Sequence, residues 1–295
     1  MQVLNFGSLN IDHVYTVDHF VAPGETLASL NYSVNAGGKG LNQSIALGRA
    51  GVSTFHAGMI GPDGGFLKDI LAQAGVNTDN IITDVLPTGH AIIQVEKISG
   101  QNSIILYPGA NRRIRTEDMC RILHAAQAGS YLLLQNEIND IPFLITEGKK
   151  CGLRVVFNPA PCGKEVAAYP LELCDLLLLN EVEAAFLTSC AEPEAAANAL
   201  ASRCPESEIV ITLGKTGALY RFHDEKIFVP AREVEAVDTT GAGDTFTGYF
   251  LAAKLRGMDA ESSMKCATLA SSIAVSRPGA AQSVPEASEV FSVFM

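Results

Sequence analysis

Asp238-Thr239-Thr240-Gly241-Ala242-Gly243-Asp244 leads directly into Thr245–Arg256, where Phe246, Phe250, Leu251 and Ala253 recur at helical spacing. The pattern predicts a helix opened by Gly-Ala-Gly. Side chains this small let another group approach the backbone closely. A helix N-terminus offers unpaired amides and a partial positive charge, a setting that suits a phosphate. Asp244 places a carboxylate beside that anion hole. An anion hole with an adjacent base is what transfer of a phosphoryl group to an alcohol requires. The same acidic residue also suits a helix dipole without any chemistry, so the stretch is read together with the rest of the chain.

Outward from this helix, short β-rich runs alternate with helical patterns. Val3–Phe6, Thr54–Met59, Tyr131–Gln135, Arg154–Asn158, Leu176–Asn180 and Glu208–Leu213 read as buried strands. Leu41–Ala50, Phe66–Ala74, Thr116–Ala126, Ile141–Cys151, Ala195–Ser202, Thr245–Arg256 and Ser262–Ser276 read as helices. Such alternation predicts an α/β fold, Rossmann-like, with a mainly parallel central sheet and helices on both faces. Ligands then belong beyond the carboxyl ends of the strands. His13–Val34 and Gly89–Tyr107 break the alternation, reading as strands with no helix between them. They are expected to form one small sheet projecting from a single domain that spans 1–295.

At 295 residues and 47% hydrophobic content the chain can bury a large core. It has no uninterrupted apolar run of ~18 residues, so a membrane span is not expected. The opening Met1–Gly7 runs straight into a strand and shows no secretory pattern. Seven cysteines without a CxxC pair fit reduced thiols in the cytoplasm and argue against a zinc site or a disulfide framework. His13, His19, His56, His90, His124 and His223 show no paired metal spacing. A net charge of −11 argues against a nucleic-acid partner but not against ATP, whose charge amides and Mg²⁺ can offset.

Further motifs carry polar groups to the expected cleft. Gly7-Ser8-Leu9-Asn10-Ile11-Asp12 follows the first strand, and Asn10 with Asp12 can hold adjacent hydroxyls or form a plain Asx turn. Ala36-Gly37-Gly38-Lys39-Gly40-Leu41-Asn42-Gln43 lets backbone approach a ligand, with Lys39 either bonding a hydroxyl or solvated. Asn180-Glu181-Val182-Glu183 has the spacing of a capping box. Thr212-Leu213-Gly214-Lys215-Thr216-Gly217 is a small-residue loop after a strand, and also suits a hairpin turn. Arg112 and Arg113 read as solvated loop charges.

In this order, the motifs resemble the ribokinase family of sugar kinases, also called the PfkB family, from Val3 to about Pro285. The Gly-Gly-Lys-Gly-x-Asn and Asp-Thr-x-Gly-Ala-Gly-Asp motifs together are specific. The resemblance implies that Asp244 is the general base and that Gly241, Ala242 and Gly243 form the anion hole. It places Asn10, Asp12, Gly38, Lys39, Asn42 and Glu137 on the sugar. Asn180 and Glu183 match positions serving Mg²⁺ and phosphate, and Thr212, Gly214, Gly217 and Gly243 match positions around the nucleotide, with Thr268 near adenine. Asp238, Thr240, Ala274, Arg277, Gly279 and Ser283 match a monovalent-cation (K⁺) site; the tail from Ala274 otherwise reads as too irregular for a helix. Ala91 and Leu106 match positions that pack on the sugar. The small sheet corresponds to a lid over the sugar, formed from about 13–34 and 89–107, which pairs with its twin in a homodimer.

The implied activity is ATP-dependent phosphorylation of the primary hydroxyl of a pentose, with D-ribose giving ribose 5-phosphate. Deoxyribose, fructose or a nucleoside are alternative acceptors. A phosphosugar is disfavoured because Glu137 would repel it. A sensor without catalysis would be expected to have lost the base or the anion hole, and both are intact.

Overall fold

Runs such as Leu132-Leu133-Leu134 and Leu176–Leu179 have no polar face to expose, so they can only be strands covered on both sides. The computed structural model, which describes residues 1–294, places them at the centre of the molecule. In chain order the elements are β1 (Val3–Phe6), β2 (Asn10–Val17), β3 (Asn31–Gly37), α1 (Lys39–Arg49), β4 (Thr54–Ile60), α2 (Gly65–Gln73), β5 (Val76–Thr83), β6 (Gly89–Glu96), β7 (Asn102–Tyr107), α3 (Thr116–Ala125), β8 (Tyr131–Gln135), α4 (Ile141–Lys150), β9 (Arg154–Asn158), β10 (Leu176–Asn180), α5 (Glu181–Thr188), α6 (Pro193–Arg203), β11 (Glu208–Thr212), β12 (Gly217–Phe222), β13 (Glu225–Pro230), α7 (Ala242–Leu255), α8 (Ala260–Val275) and α9 (Ala287–Phe291).

The main sheet has nine strands in the order β13-β12-β11-β10-β9-β8-β1-β4-β5. Strands from β11 to β5 run parallel, and β12 and β13 close one edge as an antiparallel hairpin. The chain moves from β1 outward to β4 and β5, then returns to place β8 on the other flank of β1. Strand order therefore reverses between β1 and β8, which opens a crevice at their carboxyl ends. Alternate strand residues feed two cores. Leu133 packs with Leu41, Ile45, Phe246 and Phe250 beneath α1 and α7. Leu132 and Leu134 pack with Met119, Leu144, Ile145 and Leu200 beneath α3, α4 and α6.

The second sheet has four strands in the order β3-β2-β6-β7. It reaches further than expected, from Asn10 to Gly37, so Asn10 and Asp12 lie within β2 and not in a turn after β1. The reason is backbone proximity at its root, where Asn10 pairs with both Gly37 and Gly89. A Cβ on Gly89 would lie 2.5 Å from Asn10 Oδ1, and one on Gly37 would lie 2.1 Å from Asp12 Oδ2. The tail also differs from expectation: Ala274 belongs to the last turn of α8, and irregular backbone begins after Val275. Among the described residues no helix is long and apolar enough to cross a membrane.

Candidate active site

α7 begins after Gly241, whose φ of +75° is a backbone conformation that glycine adopts without strain. A Cβ there would lie 3.0 Å from that of Ala280, so the C-terminal loop backs this turn. No side chain caps the helix, and the Ala242 amide makes only a long 3.3 Å bond to the Thr239 carbonyl. A Cβ on Gly243 would meet nothing within 4 Å. The N-terminus thus presents open amides to the crevice, as an anion hole requires.

Asp244 lies in the first turn of α7 and is 7% exposed. Its carboxylate is held by two amides from α1: Asn42 Nδ2 donates to Oδ2 at 3.2 Å and Gln43 Nε2 donates to Oδ1 at 2.9 Å. Gln43 also donates to Asn158 Oδ1 at 3.0 Å and accepts from Gln135 Nε2 at 2.7 Å. Gln135 in turn donates to Asn5, which donates to Ser44, and Ser44 bonds buried His56. Burial first of all pushes His56 down to about 4, keeping it neutral. This amide chain fixes the Asp244 carboxylate from beneath. Gln43, Gln135 and Asn5 have no assignment in the sequence reading, although Gln43 sits within the quoted Gly-Gly-Lys-Gly stretch.

At the reversal point, Glu137 follows β8 and turns back over the loop after β1. It accepts from the Lys39 amide at 2.9 Å and from Ser8 Oγ. Burial holds its carboxyl above the ordinary carboxylate range. Asp12 is pushed up to about 6, by burial first and then by Glu137. The Asp244 carboxylate, with Glu137 and Glu183 behind it, holds the Lys39 ammonium above its ordinary value against the effect of burial. Asn10 Oδ1 is occupied by Asn111 Nδ2 at 2.7 Å, which leaves the Asn10 amide hydrogens for the crevice. Asn111 also clamps both polar groups of the Leu9 backbone, so it sets the root of β2, a role that no sequence motif marks. Asn42 Oδ1 is buried without a partner, an acceptor facing no protein donor among the described residues. Gly38 precedes α1 at φ +95°, and a Cβ there would lie 3.0 Å from the Ser8 carbonyl oxygen.

On the far side of Asp244, Asn180 and Glu183 form the capping box their spacing predicts, with bonds of 2.8 and 2.9 Å. Capping does not remove them from the crevice. Glu183 lies close enough to Lys39 and Asp244 to feel both charges, and burial raises its carboxyl. Thr212 ends β11, Gly214 is exposed at φ +53°, and Gly217 opens β12 with its α-carbon packed against β13. The loop is therefore a hairpin entry as well as a rim of the crevice. Thr268 on α8 is 8% exposed, with Oγ1 unpartnered.

The loop before α7 is tied to the C-terminal loop through Asp238. Its Oδ1 accepts from the Thr240 amide at 2.9 Å and its Oδ2 from the Gly279 amide at 3.0 Å. The Ala274 carbonyl accepts from the Arg277 amide, the Arg277 side chain pairs with Glu289, and buried Ser283 donates to the Ala280 carbonyl. Arg113 sits 3.8 Å from Asp84, away from these groups.

The model of the pfkB family of carbohydrate kinases matches residues 2–287. A ribokinase of Haemophilus influenzae is 36% identical over 293 residues, covering 96% of this chain and 95% of that protein. The crystal structure of a ribokinase from Thermotoga maritima matches with a TM-score of 0.89 at 34% identity, over 100% of this chain and 99% of that one. A structure of Arabidopsis thaliana ribokinase complexed with ribose and ATP matches with a TM-score of 0.86 at 29% identity, over 99% and 98% of the two chains. With the buried Asp244 at an open helix N-terminus and a domain match over nearly its whole length, the chain belongs to the pfkB family of carbohydrate kinases.

Proposed function

We propose that this protein transfers the γ-phosphoryl group of ATP to the primary hydroxyl of D-ribose, giving ribose 5-phosphate. The observation that carries the reading is the placement of Asp244, buried, doubly hydrogen-bonded and beside the uncapped start of α7. The carboxylate accepts the proton of the attacking hydroxyl, and the amides of Gly241, Ala242 and Gly243 stabilise charge on the transferring group. Asn10, Asp12, Lys39, Asn42 and Glu137 supply donors and acceptors to the remaining hydroxyls. Glu137, Glu183 and Asp244 gather around Lys39, with Asp12 beside Glu137, an acidic setting that favours a neutral sugar over a phosphosugar.

The same acidic setting fits Mg²⁺ near Asn180 and Glu183, where it neutralises nucleotide phosphate charge when bound. Thr212, Gly214 and Gly217 line the nucleotide side, and Thr268 Oγ1 offers a polar group near the base. Asp238 and the carbonyls of Thr240, Ala274, Arg277, Gly279 and Ser283 suit K⁺, which would stiffen the turn into α7; equal kcat/KM with and without KCl at matched ionic strength would remove that assignment. The outer lid strand β7 exposes Ile104, Ile105 and Leu106 by 55%, 63% and 48%, which supports a homodimer joined through the lids. Sedimentation as a monomer at working concentration would exclude it. The unpaired thiols of all seven cysteines support a cytoplasmic setting.

Side-by-side kcat/KM for ribose, 2-deoxyribose, fructose and adenosine tests the acceptor. Ribose is expected to lead. A site built to pair with a hydroxyl penalises an analogue that lacks it, because its polar groups are left unpaired. A clear win for another acceptor overturns ribose and leaves the kinase chemistry standing.

A further inference from the structure

α3 and α4 pack side by side on the face of the sheet opposite α7. Cys120 and His124 stand one turn apart on α3, and Glu147 and Cys151 stand one turn apart at the end of α4. Residues at i and i+4 share a helix face. Donor atoms of His124, Glu147 and Cys151 all lie within 4.8 Å of one another. His124 Nε2 is 3.3 Å from Glu147 Oε1, while Lys150 engages the outer Oε2 at 3.2 Å. His124 is 59% exposed, so an ion can reach the cluster without opening the core.

The cluster is separate from the crevice. α3 ends shortly before β8 begins and α4 ends shortly before β9 begins, so these residues lie beyond the amino ends of the strands. The sequence holds no CxxC pair. Here His124 comes from α3 and Glu147 and Cys151 from the end of α4, and only the packing of α3 on α4 unites them.

We propose that His124, Glu147 and Cys151, with water as fourth ligand, form a thiolate-containing Zn²⁺ site that staples α3 to α4 at the end of the sheet remote from the crevice. A sulfur, an imidazole and a carboxylate are donor types that four-coordinate zinc takes, whereas Mg²⁺ and Ca²⁺ prefer oxygen alone. On binding, the Cys151 thiol loses its proton to solvent and the imidazole binds in its neutral form.

The test uses the reduced, nucleotide-free, full-length protein titrated with Co²⁺ alone and then with Zn²⁺. One equivalent of Co²⁺ should produce a thiolate-to-cobalt charge-transfer band that Zn²⁺ abolishes. Co²⁺ bound in the crevice meets oxygen and nitrogen donors and gives no such band. Cys151→Ser should remove the band and weaken Zn²⁺ binding by at least about 10–100-fold, the range seen even for loss of a supporting outer group. Zn²⁺ should raise the Tm of the wild type and not of Cys151→Ser, with sugar-kinase activity alike in both. Cys120→Ser should keep the band, because Cys120 lies outside this donor set. Absence of the band in the wild type, or its survival in Cys151→Ser, overturns the proposal.

Discussion

Asp244 has both carboxylate oxygens tied to amides of α1, so its orientation is set before any ligand arrives. Asp244→Asn keeps the size of the side chain but cannot take a proton as a carboxylate. It should fold, bind ATP, and lose several orders of magnitude in kcat; retention of more than roughly a tenth of wild-type kcat would remove Asp244 from the role of base. Gln43→Met removes the donor beneath it at similar volume. A buried amide left unpaired costs about 1–3 kcal/mol, so the Tm should fall. The specific expectation is a kcat lowered by about tenfold or more with KM for ATP little changed, since each 1.4 kcal/mol in the barrier is tenfold. A lowered Tm with wild-type kcat would make Gln43 a purely structural residue. Asp244 and Asn42 were legible because they sit in dense local motifs. Gln43 was not, because its partners Asp244, Asn158 and Gln135 lie 201, 115 and 92 residues away.

Helix α7 owes its open end to the glycines before and within its first turn, and the two differ in kind. Gly241 is required by a positive φ and by contact with Ala280, whereas Gly243 faces open space. Gly243→Ala should therefore leave Tm nearly unchanged while placing a methyl group where the phosphate belongs, lowering kcat/KM by about 100-fold, the loss expected when one oxyanion donor is removed. Steady-state kinetics beside a thermal melt check this, and a large Tm loss would show the position to be structural. Elements with a strong internal signal were readable: β8, β9 and β10 match their apolar runs residue for residue. α5 was not, because it buries only Glu183 and Ala184 and so carries no apolar stripe. β5 was missed because Asn77, Asp79 and Asn80 interrupt it at the sheet edge, where one side needs no cover.

Across the whole molecule, two buried groups make stability respond to pH in opposite directions. Asp12 is raised from 3.8 to about 6, so between those values the folded chain binds more protons and lowering the pH stabilises it. His56 is lowered from 6.5 to about 4, so over nearly the same window the unfolded chain binds more protons and lowering the pH destabilises the fold. In Asp12→Asn the first of these slopes is lost. The fall in Tm from pH ~7 to pH ~4.5 should then exceed that of the wild type by about 2–5 °C. Melts of the two proteins in matched buffers check it, and parallel pH curves would contradict the raised Asp12.

The split of the proposed sugar ligands between the small sheet and the main body has a kinetic consequence. Asn10 and Asp12 ride on β2 of the small sheet, whereas Asn42, Glu137 and Asp244 belong to the body. A molecule bridging both sets acts as the latch between them, so the lid cannot swing away while every bond to it survives. Opening and release then become one event, and the residence time of the product is set by the same handful of hydrogen bonds that recognised the substrate.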